Sequence, residues 1–276
     1  MILAGRYNTL GIIRQTSNGF YLNGENLGEI LIPNKYIPEN KNIGDEIEVF
    51  VYYDAEGRLV ATTEDPFCEV GDFAMLQIVD VNATGAFANW GVLKQLLIPF
   101  SEQKVKMQTG SWHIVHVYID EKSKRIVGSA KVDKFLNKTP ANYNSNEEVG
   151  LIVYSHTPLG YKVIINNAHW GMLYENEVFQ PLNKGEYITG YISQVREDGK
   201  IDVSLYPLGH NKTDVSANLI MEYLQAHDGI MLITDKSDAN LIYETFGISK
   251  KNFKMAIGKL YKNKQISIDD KQIKII

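Results

Sequence analysis

The order of apolar and polar positions divides the chain into two textures. Up to about residue 207, short apolar runs alternate with Gly, Asp, Asn and Pro, the pattern of β-strands between turns. Beyond it, apolar residues recur at three- and four-residue spacing, the pattern of helices packed on one side.

The β texture repeats. Gly19-Phe20-Tyr21-Leu22 is followed by Gly28-Glu29-Ile30-Leu31-Ile32-Pro33. The alternating strand Gly44-Asp45-Glu46-Ile47-Glu48-Val49-Phe50-Val51 comes next, then the turn Asp54 to Arg58 and the strand Leu59 to Thr62. The same order returns in Gly85-Ala86-Phe87-Ala88, Gln95 to Pro99, Gly110 to Val117, the turn Asp120 to Arg125, and Ile126 to Ser129. A fainter third copy runs through Gly160 to Ile165, Gly171 to Tyr174, Gly185 to Ile192, Arg196 to Lys200, and Ile201 to Leu205, read as alternating inward and outward. The glycines opening the third element stand at 44, 110 and 185, so the copies are offset by 66 and 75 residues. That is longer than a solenoid repeat of roughly 20–50 residues and suits one five-stranded barrel per copy. One large sandwich with an accidental period is the alternative. Turn-rich stretches at Thr63 to Pro66, Lys138 to Asn146 and Pro207 to Lys212 separate the copies. They predict barrels over 1–65, 66–138 and 144–208 and a fourth domain over 213–276.

In that fourth domain Ser216 is placed to cap a helix to Ala226, with Leu219, Ile220, Tyr223 and Leu224 on its apolar side. Ser237 would cap a second, with Leu241, Ile242, Thr245 and Phe246 inward and Gly247 just past its end. Ser249 would cap a third, with Phe253, Ile257 and Leu260 inward. Ile266 and Ile268, then Ile273 and Ile275, flank Asp269-Asp270-Lys271 as a two-stranded hairpin. Three helices and a hairpin make a winged helix, with Gly247-Ile248-Ser249 as the helix-turn-helix turn.

Composition narrows the function. Hydrophobic residues make up 44% and charged residues 22%, enough apolar content for packed cores. A net charge of −5 excludes a strongly basic nucleic-acid coat but leaves room for local basic patches. The single cysteine, Cys68, forms no intramolecular disulfide and fits the cytoplasm. Met1 to Arg6 lacks the layout of a signal peptide, and the longest apolar stretches fall far short of the roughly 20 residues of a membrane span. No phosphate-binding Gly-x-x-x-x-Gly-Lys loop, His-Glu-x-x-His or Gly-x-Ser-x-Gly occurs. The six histidines are scattered, and His113 and His116 face opposite sides of a predicted strand. No enzymatic activity, cofactor, metal or small-molecule substrate is expected.

Glycine-apolar-aromatic, then Gly-x-Ile/Leu, then Gly-Asp before an alternating strand resembles the S1 RNA-binding domain, an OB-fold barrel. Gly85-Ala86-Phe87 and Asp54-Ala55-Glu56-Gly57-Arg58 carry the likeness best. Three such copies followed by a winged helix resemble the conserved virulence factor B family of bacteria, with Gly85 to Pro99 as the most diagnostic segment. The resemblance covers essentially the whole chain. It implies a mainly β, multi-domain fold: three tandem S1-like OB-fold barrels, then a winged-helix α/β domain. It also implies cytoplasmic RNA binding with a regulatory role. In S1 domains the RNA face carries aromatics on neighbouring strands, a histidine and an Asp…Arg pair. By resemblance, Tyr21, Asp54 and Arg58 fall on these positions in copy one, and Phe87, Asp120 and Arg125 in copy two. In copy three Tyr174 stands at the histidine position, with Arg196 and Lys200 at the Asp and Arg positions. The sequence departs from the pattern at Pro33 and Pro99, which replace the histidine, and at Lys162, which replaces the aromatic.

The chemistry is that of a single strand. Exposed bases stack on rings such as Tyr21 and Phe87 at about 1–3 kcal/mol each, and phosphates take Arg and Lys. For Phe87 the competing role is barrel core. For Arg58 and Arg125 it is a pair with the nearby aspartate. From Ser216 onward there are nine lysines and no arginine against five aspartates and two glutamates. Lys251, Lys254 and Lys262 are expected on the outer side of the third helix, where they would meet phosphates rather than read bases. The expectation is a single-stranded RNA-binding protein acting post-transcriptionally on gene expression, with the ribosome or the RNA-decay machinery as further partners. The alternatives are a winged-helix DNA-binding regulator and a protein-interaction module.

Overall fold

The structure, a computed structural model, describes residues 2–178, 181–207 and 212–276, with backbone alone at 176 and 212–214. Of the boundary expected at Pro207 to Lys212, residues 208–211 lie outside the described residues. The chain forms two compact units, Met1–Lys138 and Thr139–Ile276.

The first unit opens with β1 (Arg6–Thr16), β2 (Gly19–Asn23), β3 (Glu29–Pro33), β4 (Glu46–Tyr53) and β5 (Leu59–Thr62). They close into a barrel in the order β1-β2-β3-β5-β4. Next come β6 (Phe73–Val81), β7 (Gly85–Asn89), β8 (Leu96–Pro99), β9 (Trp112–Ile119) and β10 (Ile126–Ser129), a five-stranded sheet in the order β10-β9-β6-β7-β8. The first barrel is closed by a parallel pairing at Leu31 and Val60. In the second, β8 and β10 lie side by side but no ladder joins them. The second unit repeats the barrel with β11 (Glu148–Thr157), β12 (Gly160–Ile165), β13 (His169–Tyr174), β14 (Tyr187–Val195) and β15 (Ile201–Ser204), again closed.

The repeat has a local cause. Each barrel's first strand carries a bulge, between Ile12 and Arg14, Ile78 and Asp80, and Val153 and Ser155, which bends it around the barrel. Each second strand opens with a glycine paired to the end of the third: Gly19 to Pro33, Gly85 to Pro99, Gly160 to Tyr174. A Cβ on these glycines would lie 2.0, 2.5 and 2.3 Å from the carbonyl oxygen of Ile32, Ile98 and Leu173, so the close strand approach requires glycine there.

The two barrels of the first unit share a seam. Strand β4 buries Val49 and Val51 in its own barrel, while Phe50 and Tyr52 on its other side join the core of the second barrel with Leu76, Ile78 and Trp90. The alternation expected for this strand therefore stops at Phe50, because both of its faces are covered. Burying Phe50 completely is worth on the order of 2–3 kcal/mol. Arg6 donates to the Val70 carbonyl at 2.7 Å, and the rings of Phe50 and Trp90 meet edge-on at 5.5 Å. Likewise β15 does not alternate: Asp202 and Ser204 are buried along with Ile201 and Val203.

The winged helix consists of α1 (Lys212–Ala226), β16 (Ile230–Met231), α2 (Ala239–Phe246), α3 (Lys250–Lys262), β17 (Ile266–Ile268) and β18 (Ile273–Ile275). Its hairpin gains a third strand, since β16 pairs with β18; two residues are too few for a periodic signal. Ser249 caps α3, accepting from the Asn252 N–H at 3.2 Å. The other caps differ from expectation. Helix α1 starts earlier and holds Ser216 buried within it. Asp238 caps α2 in place of Ser237, whose hydroxyl instead accepts from the Thr234 N–H. Leu241, expected inward, is 45% exposed, whereas Ile242 and Phe246 are buried.

Candidate nucleic-acid interface

The three barrel faces can be compared position by position, because the same ladder builds each. Beside the bulge, Arg14 pairs with Tyr21, Asp80 with Phe87 and Ser155 with Lys162. Tyr21 and Phe87 are both half-buried, while their strand neighbours Phe20, Leu22, Ala86 and Ala88 fill the cores. Both rings therefore sit on the outer side of their sheets. Their surroundings differ. The Arg14 guanidinium lies over the Tyr21 ring at 3.6 Å and is held there by Glu29 at 2.5 Å. The hydrogen bond to Glu29 raises the Arg14 pKa, and the bond from Arg14 lowers that of Glu29. In the third barrel the Lys162 ammonium lies 3.5 Å over the Trp170 ring. Among the described residues no cation covers Phe87.

The turns that close the fourth and fifth strands also correspond. The N–H of Asp54, Asp120 and Arg196 donates to the carbonyl of Arg58, Arg125 and Lys200 at 2.9, 2.9 and 2.8 Å. The side chains diverge from there. In the first barrel Arg58 reaches Asp54 at 2.7 Å and Glu56 at 2.8 Å, so the expected pair forms. Burial works to raise the Asp54 pKa, but the Arg58 hydrogen bonds outweigh it and the net shift is downward. In the second barrel the pair implied by the resemblance does not form. Asp120 turns to the Ser123 N–H and hydroxyl at 2.8 and 2.7 Å, which leaves the Arg125 guanidinium without a carboxylate among the described residues. In the third, Arg196 ion-pairs with Asp202 at 2.8 Å and donates to the Tyr174 hydroxyl, while Lys200 pairs with Asp198 at 2.6 Å. Asp202 escaped the sequence reading because a carboxylate in an alternating strand reads as solvent-facing.

Phe87 and Arg125 line one cleft of about 520 Å³ together with Tyr53, Trp90, Lys94 and Leu97. Trp90 is structural, 3% exposed, with its indole N–H donating to the Lys94 carbonyl at 2.6 Å. The Lys94 ammonium donates to the Asp54 carbonyl of the first barrel at 2.6 Å. Its pKa is lowered by burial and by the nearby Arg125 charge, partly offset by Asp54. Lys94 and Arg14 were not singled out in the sequence: one stands in a loop and the other beside a bulge, neither with a periodic signal.

On α3, Phe253, Ala256, Ile257 and Leu260 are buried, and Lys251, Lys254 and Lys262 are exposed on the opposite side. Gly258 lies on that outer side, with nothing within 4 Å of the position its Cβ would take, so it serves no internal close approach. Lys254 is 3.8 Å from Asp235, and Lys236 pairs with Asp270 in the wing. No three His, Cys, Asp or Glu side chains among the described residues form a set that could hold a metal ion. Among the described residues no helix is long and apolar enough to cross a membrane.

Residues 4–64 match the family model of the S1 domain, and residues 218–275 match that of the CvfB-like winged helix domain. The chain is 30% identical to the uncharacterized protein YitL of Bacillus subtilis over 95% of its own length and 90% of that protein's. It is 26% identical to conserved virulence factor B of Staphylococcus haemolyticus, covering 99% of this chain and 94% of that one. A crystal structure of a multidomain protein with nucleic acid binding domains from Streptococcus pneumoniae is 23% identical, with a TM-score of 0.43 over 99% of this chain and 98% of that one.

Proposed function

The chain belongs to the conserved virulence factor B family, and from that premise we propose that it binds single-stranded RNA in the cytoplasm and acts post-transcriptionally on gene expression. One observation carries the reading. On the second barrel an aromatic ring, Phe87, and a guanidinium, Arg125, that are uncovered and unpaired among the described residues line the same cleft. A ring face takes an unstacked base, and a guanidinium takes the phosphate next to it. The corresponding groups of the first and third barrels are engaged within the chain, by Arg14 on Tyr21 and by Asp202 on Arg196. The second barrel is thus the principal RNA face. Lys251, Lys254 and Lys262 on α3 add phosphate contacts, and several weak sites on one chain raise affinity through effective concentration.

The test is fluorescence anisotropy with U-rich and A-rich single strands, a matched hairpin and duplex DNA across a salt series. Single strands are expected to bind best. Phe87→Ala should weaken them about 5- to 150-fold, the loss of one base stack worth about 1–3 kcal/mol. A preference for duplex DNA at matched salt would instead favour a winged-helix DNA regulator. A wild type that binds no nucleic acid, but holds a protein complex through nuclease treatment, would favour an interaction module.

A further inference from the structure

We propose that the first barrel does not bind RNA on its own face but forms the far wall of the second barrel's site, making one pocket for a single unstacked nucleotide. The inference rests on the RNA-binding reading and goes beyond it in naming the bound unit and the source of the second wall.

The cleft has two sides. One is the second barrel: Phe87 and Leu97 on its outer surface, then Arg125, Ile126 and Val127 leading into β10. This is also where the barrel is left unclosed. Strands β8 and β10 end their sheet without a ladder between them, so the cleft lies along two strand edges. The other side is the β4–β5 turn of the first barrel, contributed by Tyr53, Ala55, Glu56 and Gly57. At about 520 Å³ the space falls within the range of small-ligand pockets, roughly 300–1,000 Å³.

The far wall is held in place rather than hanging free. The Asp54 carboxylate accepts from the Glu56 and Arg58 N–H groups at 2.9 Å each and from the Arg58 side chain at 2.7 Å, which fixes the turn. Lys94 ties that turn to the second barrel through the Asp54 carbonyl. Beneath it the seam is packed by Phe50 and Tyr52. Asp54 and Arg58 then act as positioning residues for the wall instead of RNA contacts.

The charge fits a nucleotide with its phosphate. Lys94, Lys124 and Arg125 line the cleft against one carboxylate, Glu56, which is itself paired with Arg58 at 2.8 Å. In a chain of net charge −5 this is a local excess of cations. Among the described residues Lys94 spends one of its three donors on Asp54 and keeps two, and Arg125 has its full fork. A base against Phe87 would place its phosphate toward these two groups. The first barrel's own ring, Tyr21, is meanwhile occupied by Arg14.

The experiment uses the full chain. A labelled single-stranded RNA is competed with adenosine or uridine 5′-monophosphate, with the matching nucleoside and with inorganic phosphate, in wild type and in Arg125→Gln, Lys94→Met and Asp54→Asn. The monophosphate is expected to compete at least tenfold better than nucleoside or phosphate alone. Arg125→Gln and Lys94→Met should each reduce that advantage to threefold or less. Asp54→Asn should weaken RNA at least threefold by loosening the wall, and thermal unfolding confirms that each variant is folded. Arg125 is exposed, so its variant keeps the test valid if Lys94→Met does not fold. The pocket is overturned, with RNA binding intact, if Phe87→Ala weakens RNA while Arg125→Gln and Asp54→Asn leave it within twofold. It is also overturned if the monophosphate competes no better than the nucleoside. If wild type binds neither RNA nor a monophosphate, the pocket and the RNA reading fall together.

Discussion

Acidification from pH 7 to pH 5 is expected to destabilise the second barrel by about 2 kcal/mol through one residue, His116. The ring is 8% exposed, between Phe73 at 4.5 Å and Phe135 at 4.1 Å, and its Nδ1 has no hydrogen-bond partner among the described residues. Burial pushes its pKa from 6.5 down to about 4, against a backbone hydrogen bond at Asp72 and the Asp72 charge, which work upward. The folded ring thus stays neutral where the unfolded chain takes up a proton, so stability rises with pH between about 4 and 6.5. The contribution is complete above that window and is lost as pH falls through it. Across the whole window the shift is worth about 3 kcal/mol, and the step from pH 7 to pH 5 covers about 2. In a multi-domain chain the clean readout is local: hydrogen exchange of β6 and β9, corrected for the intrinsic pH dependence. Protection should drop about 30-fold more in wild type than in His116→Phe, which keeps an aromatic ring in the cage but cannot titrate. Equal pH slopes in the two proteins would refute the argument, because other groups titrate in both.

Three further outcomes follow from the geometry. Tyr21→Ala should leave RNA affinity within about twofold in wild type, but cost severalfold in an Arg14→Ala background, because only then is the ring face free to stack; anisotropy on the double-mutant cycle measures this. Replacing Lys251, Lys254 and Lys262 with Gln should reduce the salt slope of single-strand binding by about 0.7 for each lysine that contacts a phosphate, and an unchanged slope would remove α3 from the interface. Gly258→Ala should stabilise the winged helix by up to about 1 kcal/mol, read as a shift in urea midpoint, since an exposed helix-interior glycine has no packing role to lose.

Much of the fold is legible in local chemistry. The glycines at 19, 85 and 160 mark where two strands touch, and those at 44, 110 and 185 return an N–H to the carbonyls of Ile12, Ile78 and Val153 at 2.8, 2.7 and 2.7 Å. Such contacts recur wherever the same turn recurs, so a period in sequence becomes a period in space. The Ser249 cap is equally local. Ser216 and Ser237 failed as caps because a capping residue is identified only once the first helical turn is known.

The amino-acid sequence alone determined the three strand repeats, the helical tail and the residue types available on each face, because turns, caps and alternation depend on neighbours a few residues apart. It could not decide which faces are usable. Arg14 covering Tyr21, Asp202 capturing Arg196 and Asp120 releasing Arg125 depend on side chains brought together by strand register and by small differences within a turn. The burial of Phe50 and the cleft beside Phe87 depend on the second barrel packing against β4 of the first. Those contacts join residues about 40 positions apart, such as Asp54 and Lys94, and only the folded chain brings them within hydrogen-bonding distance.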